Sequence, residues 1–195
     1  MNIILSTGNP SKALQIQALF SNKDIIVKTL KEVGIEGEAI EDGNTLEENA
    51  YKKAKYALDH SDGSTWTMAD DTGLFIHALN GEPGIKAARW AGEGKETTTQ
   101  FALEKMKDLT DHSATFETVV VLLSPSGVKH IFKGQIDGIM LEKPACDPQP
   151  KMPYSPLFIP NGQTKCWAEM TTEEENAISH RGIAFRKAIA FLEAQ

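Results

Sequence analysis

The stretch Asn2-Ile3-Ile4-Leu5-Ser6-Thr7-Gly8-Asn9-Pro10-Ser11-Lys12 decides how this chain is read. A short apolar strand runs into hydroxyls, a glycine and an asparagine. An apolar pattern at helical spacing (Ala13, Leu14, Ile16, Phe20) then begins. Strand, sharp turn and helix start, in that order, make the repeating unit of an α/β protein. The first backbone N–H groups of a helix lack intrahelical partners, and the helix dipole favours negative charge there, so the turn is a candidate anion site. Lys12 puts a positive charge in the first helical turn, where the dipole alone would prefer an acid; a polyanion beside it would make that placement favourable. The plain alternative is a strand-to-helix turn capped by Ser or Asn. The spacing is not that of a Walker loop.

Working outward, strand-like and helix-like segments alternate through the first half. Ile25–Val27 reads as a short strand. Thr45, with Glu48 three residues on, has the capping-box spacing and predicts a helix to about Leu58. Trp66–Asp70 reads as the next strand, ending at Asp71-Thr72-Gly73, with Leu74–Leu79 helical or buried. Thr97–Lys107 reads as a helix. Ala114–Leu123 and Val128–Ile136 flank Ser124-Pro125-Ser126-Gly127 as a hairpin. The proline-rich stretch from Lys143 to Pro160 predicts an irregular loop with strand pieces. Gly182–Glu193 closes the chain as an amphipathic helix. The expectation is a single domain over 1–195, α/β, with two lobes on one long mixed sheet.

A formal net charge of −7 in 195 residues argues against general nucleic-acid binding, which needs a basic face. It leaves a nucleotide possible, because a few local cations and a metal can override the average. No apolar run approaches the roughly 20 residues of a membrane span. Cys146 and Cys166 fit neither a disulfide framework nor zinc spacing, which predicts a reduced cytoplasmic protein with two incidental thiols.

Three groups of residues carry chemistry. Asp70 and Asp71 are adjacent acids at an expected strand end, where open α/β sheets bind ligands. Neighbouring strand residues face opposite ways, so one acid faces a given cleft and holds a divalent ion or activates water, while the other caps the turn. Both being plain turn residues is the alternative. Glu36, Glu38, Glu41 and Asp42 precede the capped helix; one of them meeting Asp71 would supply the oxygen ligands Mg²⁺ prefers beside phosphates. Lys53 on that helix either turns toward phosphate or faces water. Ser179-His180-Arg181 combines a hydroxyl, a tunable imidazole and a planar guanidinium, though a cap with surface charges would look the same. Phosphate turn, acids and terminal arginine together suggest metal-assisted attack of water on phosphate.

On these residues the chain resembles the inosine triphosphate pyrophosphatases. The matching pieces, in order, are Ser6–Lys12, Glu41–Ala50, Ala69-Asp70-Asp71-Thr72-Gly73-Leu74, Gly81–Gly84 with Ala88–Gly92, Pro156-Leu157-Phe158, Ala168-Glu169-Met170 and Ile178–Gly182. They span the chain from end to end. The resemblance implies an elongated mixed central sheet flanked by helices, with the active-site cleft between two lobes. It also implies a homodimer, a Mg²⁺ requirement, and cleavage of non-standard purine nucleoside triphosphates (dITP, ITP, XTP) to monophosphate and pyrophosphate. Carried over, Thr7, Gly8, Asn9, Pro10, Ser11 and Lys12 would cradle the triphosphate with help from Lys53. Glu41 and Asp71 would hold the metal, with Asp71 also acting on the water. Thr72 would touch substrate, and Ser179, His180 and Arg181 would contact the base.

Departures from the family pattern gather at the base end. A family loop ending Phe-Gly-Tyr-Asp-Pro falls here on Met152-Pro153-Tyr154-Ser155-Pro156, and a family lysine falls on Glu175. Tyr154 remains, while Ser155 loses an acid and Glu175 reverses the charge at its place. A lysine donates to a keto oxygen, whereas a carboxylate accepts from an N–H. Two further readings therefore stay open: the same chemistry on a different base, and a nucleotide-binding protein without turnover.

Overall fold

The computed structural model describes residues 1–92 and 97–195. Strand β1 (Asn2–Leu5) feeds helix α1 (Pro10–Leu19), then β2 (Ile26–Thr29), α2 (Leu46–His60), β3 (Trp66–Ile76), the two-residue β4 (Pro83–Gly84) and α3 (Thr98–Met106). The long hairpin β5 (Ser113–Leu123) and β6 (Lys129–Met140) follows, then β7 (Phe158–Pro160), α4 (Thr172–Ile178) and α5 (His180–Glu193). All seven strands lie in one mixed sheet of order β2-β1-β3-β5-β6-β7, with β4 beside β3. β1 runs parallel to both neighbours, and the remaining pairs are antiparallel. The α/β class read from the first residues is the observed one.

One expectation is corrected. β3 does not stop at Asp71-Thr72-Gly73; it continues to Ile76, because β5 offers an antiparallel partner to every residue from Thr67 to Ile76. Leu74 and Ile76 are fully buried in that strand rather than in a helix. The adjacent acids therefore sit in mid-strand. Beside them the sheet is open: β1 pairs with β3 only as far as Leu5↔Met68, and β4 begins only at Leu74↔Gly84.

The alternation of side chains along β3 and β5 explains the two lobes. On one face Met68, Val120 and Leu122 pack with Ile16 of α1 and Phe185 of α5. Further along the same face Leu74, Ile76, Ala114 and Phe116 pack with Met106, Phe158 and Trp167. Between these cores the same face carries Asp70, Thr72 and Thr118, the two threonine hydroxyls 2.7 Å apart. A polar interruption in an otherwise apolar face is what separates the lobes. The opposite face packs Ala69, Val121 and Leu123 on Ala50 and Ala54 of α2.

Helix ends follow local chemistry. Thr45 Oγ1 accepts from the Glu48 N–H at 3.1 Å, as the capping-box spacing predicts, but the Glu48 carboxylate reaches the Asn44 N–H rather than that of Thr45. Helix α4 escaped the sequence reading, although Thr171 and Glu174 form a complete capping box. α5 lies so close to β6 that a Cβ on Gly134 would stand 2.1 Å from the carbonyl oxygen of His180. That bare backbone sets the start of α5 over the sheet.

Candidate active site

The turn after β1 is built by its own side chains. The Ser6 N–H donates to the Met68 carbonyl at 2.8 Å, holding the turn against β3. Asn9 caps α1: its Oδ1 accepts from the N–H groups of Ser11 (3.0 Å) and Lys12 (3.3 Å). Two of the helix's first N–H groups are thus already satisfied, so the anion-binding capacity rests on the Thr7-Gly8 turn and the Lys12 ammonium. Glu38 crosses this turn; a Cβ on Gly8 would stand 2.0 Å from its Oε1, so a larger residue there would require the Glu38 side chain to move aside.

A cavity of about 640 Å³ opens from this turn along the exposed edge of β3. Thr7, Gly8, Asn9, Lys12, Glu41, Lys53, Asp71, Thr72, Tyr154, Ser155, Glu175, His180 and Arg181 all line it, as does Met152. Pro10, Ser11 and Ser179 do not. Pro10 and Ser11 belong to the capped helical turn, and the fully buried Ser179 spends its hydroxyl as the cap of α5, accepting from the Gly182 N–H at 3.0 Å.

The acids of β3 divide as strand alternation requires. Asp70 points toward α1 and α5, where its Oδ2 is 3.0 Å from Lys12 Nζ and 3.8 Å from Arg181 Nε. Against burial, which works the other way, Lys12 and Arg181 hold its carboxyl well below the usual carboxylate range. It is a buried counter-ion rather than the turn cap expected from sequence. Asp71 points toward α2, accepting from Asn49 Nδ2 at 3.1 Å and lying 3.3 Å from Lys53 Nζ. Burial raises its carboxyl above the ordinary value, outweighing the attraction of Lys53 and Lys12.

Glu41 Oε2 lies 3.4 Å from the same Lys53 ammonium. Two carboxylates from different segments therefore converge on one cation inside the cavity. Among the described residues no group of three or more His, Cys, Asp or Glu gathers for a metal. Two carboxylates are nonetheless the protein share that suits Mg²⁺, which keeps waters and substrate phosphates as its remaining ligands. The donor set fits that ion.

The far end of the cavity is aromatic and acidic. His180 stacks on Phe116 with centroids 4.8 Å apart and planes 15° apart, and Trp167 stands alongside. Tyr154 donates to the Ala87 carbonyl at 2.7 Å. Ser155 is corrected in role: its hydroxyl donates to the Met152 carbonyl (2.8 Å) and accepts from the Gln149 N–H (2.9 Å), so it pins the proline-rich loop. Glu175 is buried, with its Oε1 4.0 Å from Arg181 Nη1. Asn9 Nδ2 donates to the Lys151 carbonyl, and Arg89 Nη2 donates to the Glu41 carbonyl, so both rims of the cleft are bridged.

Sequence reading did not single out Asn49, Gln15, Arg89 or Trp167. The Trp167 ring has no local signature, but Asn49 lies four residues before Lys53, one helical turn away, and that spacing was available. Cys166 is buried, which pushes its thiol up to about 12, and neither cysteine lines the cavity. A thiol nucleophile has no place here.

His180 offers a measurable signature. Burial first, then Arg181 and Lys12, lower its imidazole well below the ordinary 6.5, outweighing Asp70. The folded protein keeps the ring neutral, so below that pH the unfolded chain binds a proton that the folded one refuses. Stability must fall as pH falls through this range, by about 1.4 kcal/mol per unit from this group. In urea unfolding at about pH 7.5 and 5.5, His180→Phe is expected to lose less stability than the natural protein by roughly that amount. Equal losses in the two would assign the pH dependence to other groups.

Comparison with known proteins agrees with this picture from end to end. A family model described as the Ham1 family matches residues 3–191. The dITP/XTP pyrophosphatase of Christiangramia forsetii is 37% identical over 194 residues, covering 98% of this chain and 99% of that protein. That of Clostridium perfringens is 38% identical over 192 residues, covering 94% and 93%. The solved Ham1 protein of Staphylococcus aureus gives a TM-score of 0.82 at 32% identity, over 100% of this chain and 99% of that one. A HAM1 protein from Coxiella burnetii gives 0.84 at 31% identity, over 100% of both.

Proposed function

The chain belongs to the Ham1 family, and on that footing we propose that it is a Mg²⁺-dependent pyrophosphatase of non-standard purine nucleoside triphosphates of the dITP, ITP and XTP type. Its products would be the nucleoside monophosphate and pyrophosphate. The carrying observation is that Glu41 and Asp71 meet at Lys53 in the same cavity as Lys12 and the Thr7-Gly8-Asn9 turn.

In this reading the Lys12 ammonium and the turn bind the triphosphate. Lys53 leaves its carboxylate partners for phosphate oxygens as substrate enters, and Glu41 and Asp71 hold the metal. Mg²⁺, when bound, would offset phosphate charge and polarise the phosphorus–oxygen bonds. Asp71, its carboxyl raised by burial, accepts the proton of the attacking water. The water oxygen bonds to phosphorus, the anhydride between the α- and β-phosphates breaks, and pyrophosphate departs. Asn49 holds the second oxygen of Asp71 and so orients the first. His180, Phe116 and Trp167 wall the base end. A homodimer belongs to the same reading and rests on the family resemblance, and a cytoplasmic location rests on the two unpaired thiols.

The test is phosphorus NMR of ITP incubated with the protein, with Mg²⁺ and with EDTA. Monophosphate and pyrophosphate in the metal arm alone are expected. Diphosphate with orthophosphate would overturn the cleavage position, and no release from any triphosphate would favour binding without turnover.

A further inference from the structure

The base end of the cavity holds polar groups that no protein atom satisfies. Glu175 is 4% exposed, lines the cavity, and has no hydrogen-bond donor to its carboxylate among the described residues; its nearest cation, Arg181 Nη1, is 4.0 Å away. That distance is too long for a mutual hydrogen bond. Both groups are therefore left to bond adjoining atoms of a third partner. Arg181 is held in place, with the same Nη1 donating to Gln15 Oε1 and Nε facing Asp70, so the fork cannot swing to close the gap. Trp167 Nε1 and both ring nitrogens of His180 are also buried without partners. Buried polar groups left unpaired are costly, and the residues that carry these line one cavity.

An acceptor beside a donor is the complement of a lactam edge, –NH–C(=O)–. In a 6-oxopurine the C6 oxygen would accept a hydrogen bond from Arg181 while N1–H would donate one to Glu175. Adenine reverses both partners, setting its N1 lone pair against the carboxylate and its amino group against the guanidinium. Position 2 is read by the same carboxylate. A 2-amino group, as in guanine, adds a second N–H to it, whereas a 2-keto group, as in xanthine, sets oxygen against oxygen.

Resting on the pyrophosphatase chemistry above, and taking the different-base reading in place of its inosine and xanthine range, we infer that Glu175 is a specificity-determining residue that accepts from the N1–H of 6-oxopurines and ranks them by their 2-substituent, amino over hydrogen over keto. The lysine that the family resemblance leads one to expect at this place would donate instead, and would welcome the 2-keto oxygen.

The experiment measures kcat/KM for GTP, ITP, XTP and ATP with the natural protein, Glu175→Gln and Glu175→Lys. Titration calorimetry of GMP, IMP and XMP reads base recognition without turnover. The expected order is GTP at or above ITP, with XTP and ATP each lower by about tenfold or more, the worth of one hydrogen bond to a charged group. Glu175→Lys should raise the XTP-to-ITP ratio by a similar factor, and Glu175→Gln should narrow the gap between GTP and XTP. Hydrolysis whose base order ignores both substitutions overturns the inference while leaving the pyrophosphatase reading standing. Monophosphate binding in the expected order with no hydrolysis does the reverse. Neither hydrolysis nor ordered binding removes both, and a natural preference for XTP removes the inference directly.

Discussion

Asp71→Asn is expected to lower kcat for pyrophosphate release by about 10³-fold, within the range for loss of a positioned proton acceptor. The change is nearly isosteric and leaves packing in place. Asn49 Nδ2 still finds an oxygen to donate to, and Lys53 still has Glu41. What disappears is the group able to take the proton from water, and one of two negative charges suited to the metal. Thermal unfolding should therefore move little while turnover collapses, a separation that distinguishes a chemical role from a structural one. An Asp71→Asn protein that releases pyrophosphate at the natural rate would end the assignment.

The neighbouring acid should respond in the opposite way. Asp70→Ala is expected to destabilise the fold by about 3 kcal/mol, because removing one partner of a buried ion pair strands the other. Here it strands two, Lys12 and Arg181. The figure sits at the low end of the range because the Lys12 side chain is 19% exposed, so water recovers part of its charge. Adding Lys12→Met to Asp70→Ala should restore some of the loss, since one stranded charge is gone. The exposed pair Lys55–Asp59 serves as the control, and Asp59→Ala should cost far less than Asp70→Ala. Urea unfolding of these four proteins checks the argument, and an Asp70→Ala as mild as the control would show that Lys12 and Arg181 relax into solvent.

The two aspartates are the sharpest case of what was legible and what was not. Their adjacency, and the rule that neighbours on a strand face opposite ways, predicted that one would enter the cleft. Which one, and what the other would do, depended on groups far along the chain: Lys12 lies 58 residues from Asp70, while Asn49 lies 22 from Asp71. Ser155 and Ser179 show the same limit. Each hydroxyl was read as facing substrate, yet each is spent on backbone near in sequence, fixing a loop and a helix start. A hydroxyl's type shows what it can bond, and only the backbone beside it shows what it does bond.

Local signals were read from sequence because their partners lie within a few residues. The Asn9 cap, the Thr45 cap, the turn at Ser124–Gly127 and the strand–turn–helix opening each close over a span the eye can follow. By itself the sequence determined the α/β class and the strand–turn–helix opening, and the family resemblance named Lys12, Lys53, Glu41 and Asp71, which line one cavity. Tertiary structure alone decided that β3 continues past its acids, since its hydrogen-bond partner β5 lies far downstream (Thr72 and Thr118 are 46 apart). It also decided that the open edge left by the short β1 becomes the cleft, and that Glu175 stands beside Arg181 without touching it. Strand length and side-chain pairing are set by long-range contacts, and a carboxylate's meaning depends on which cation, if any, the fold brings within reach.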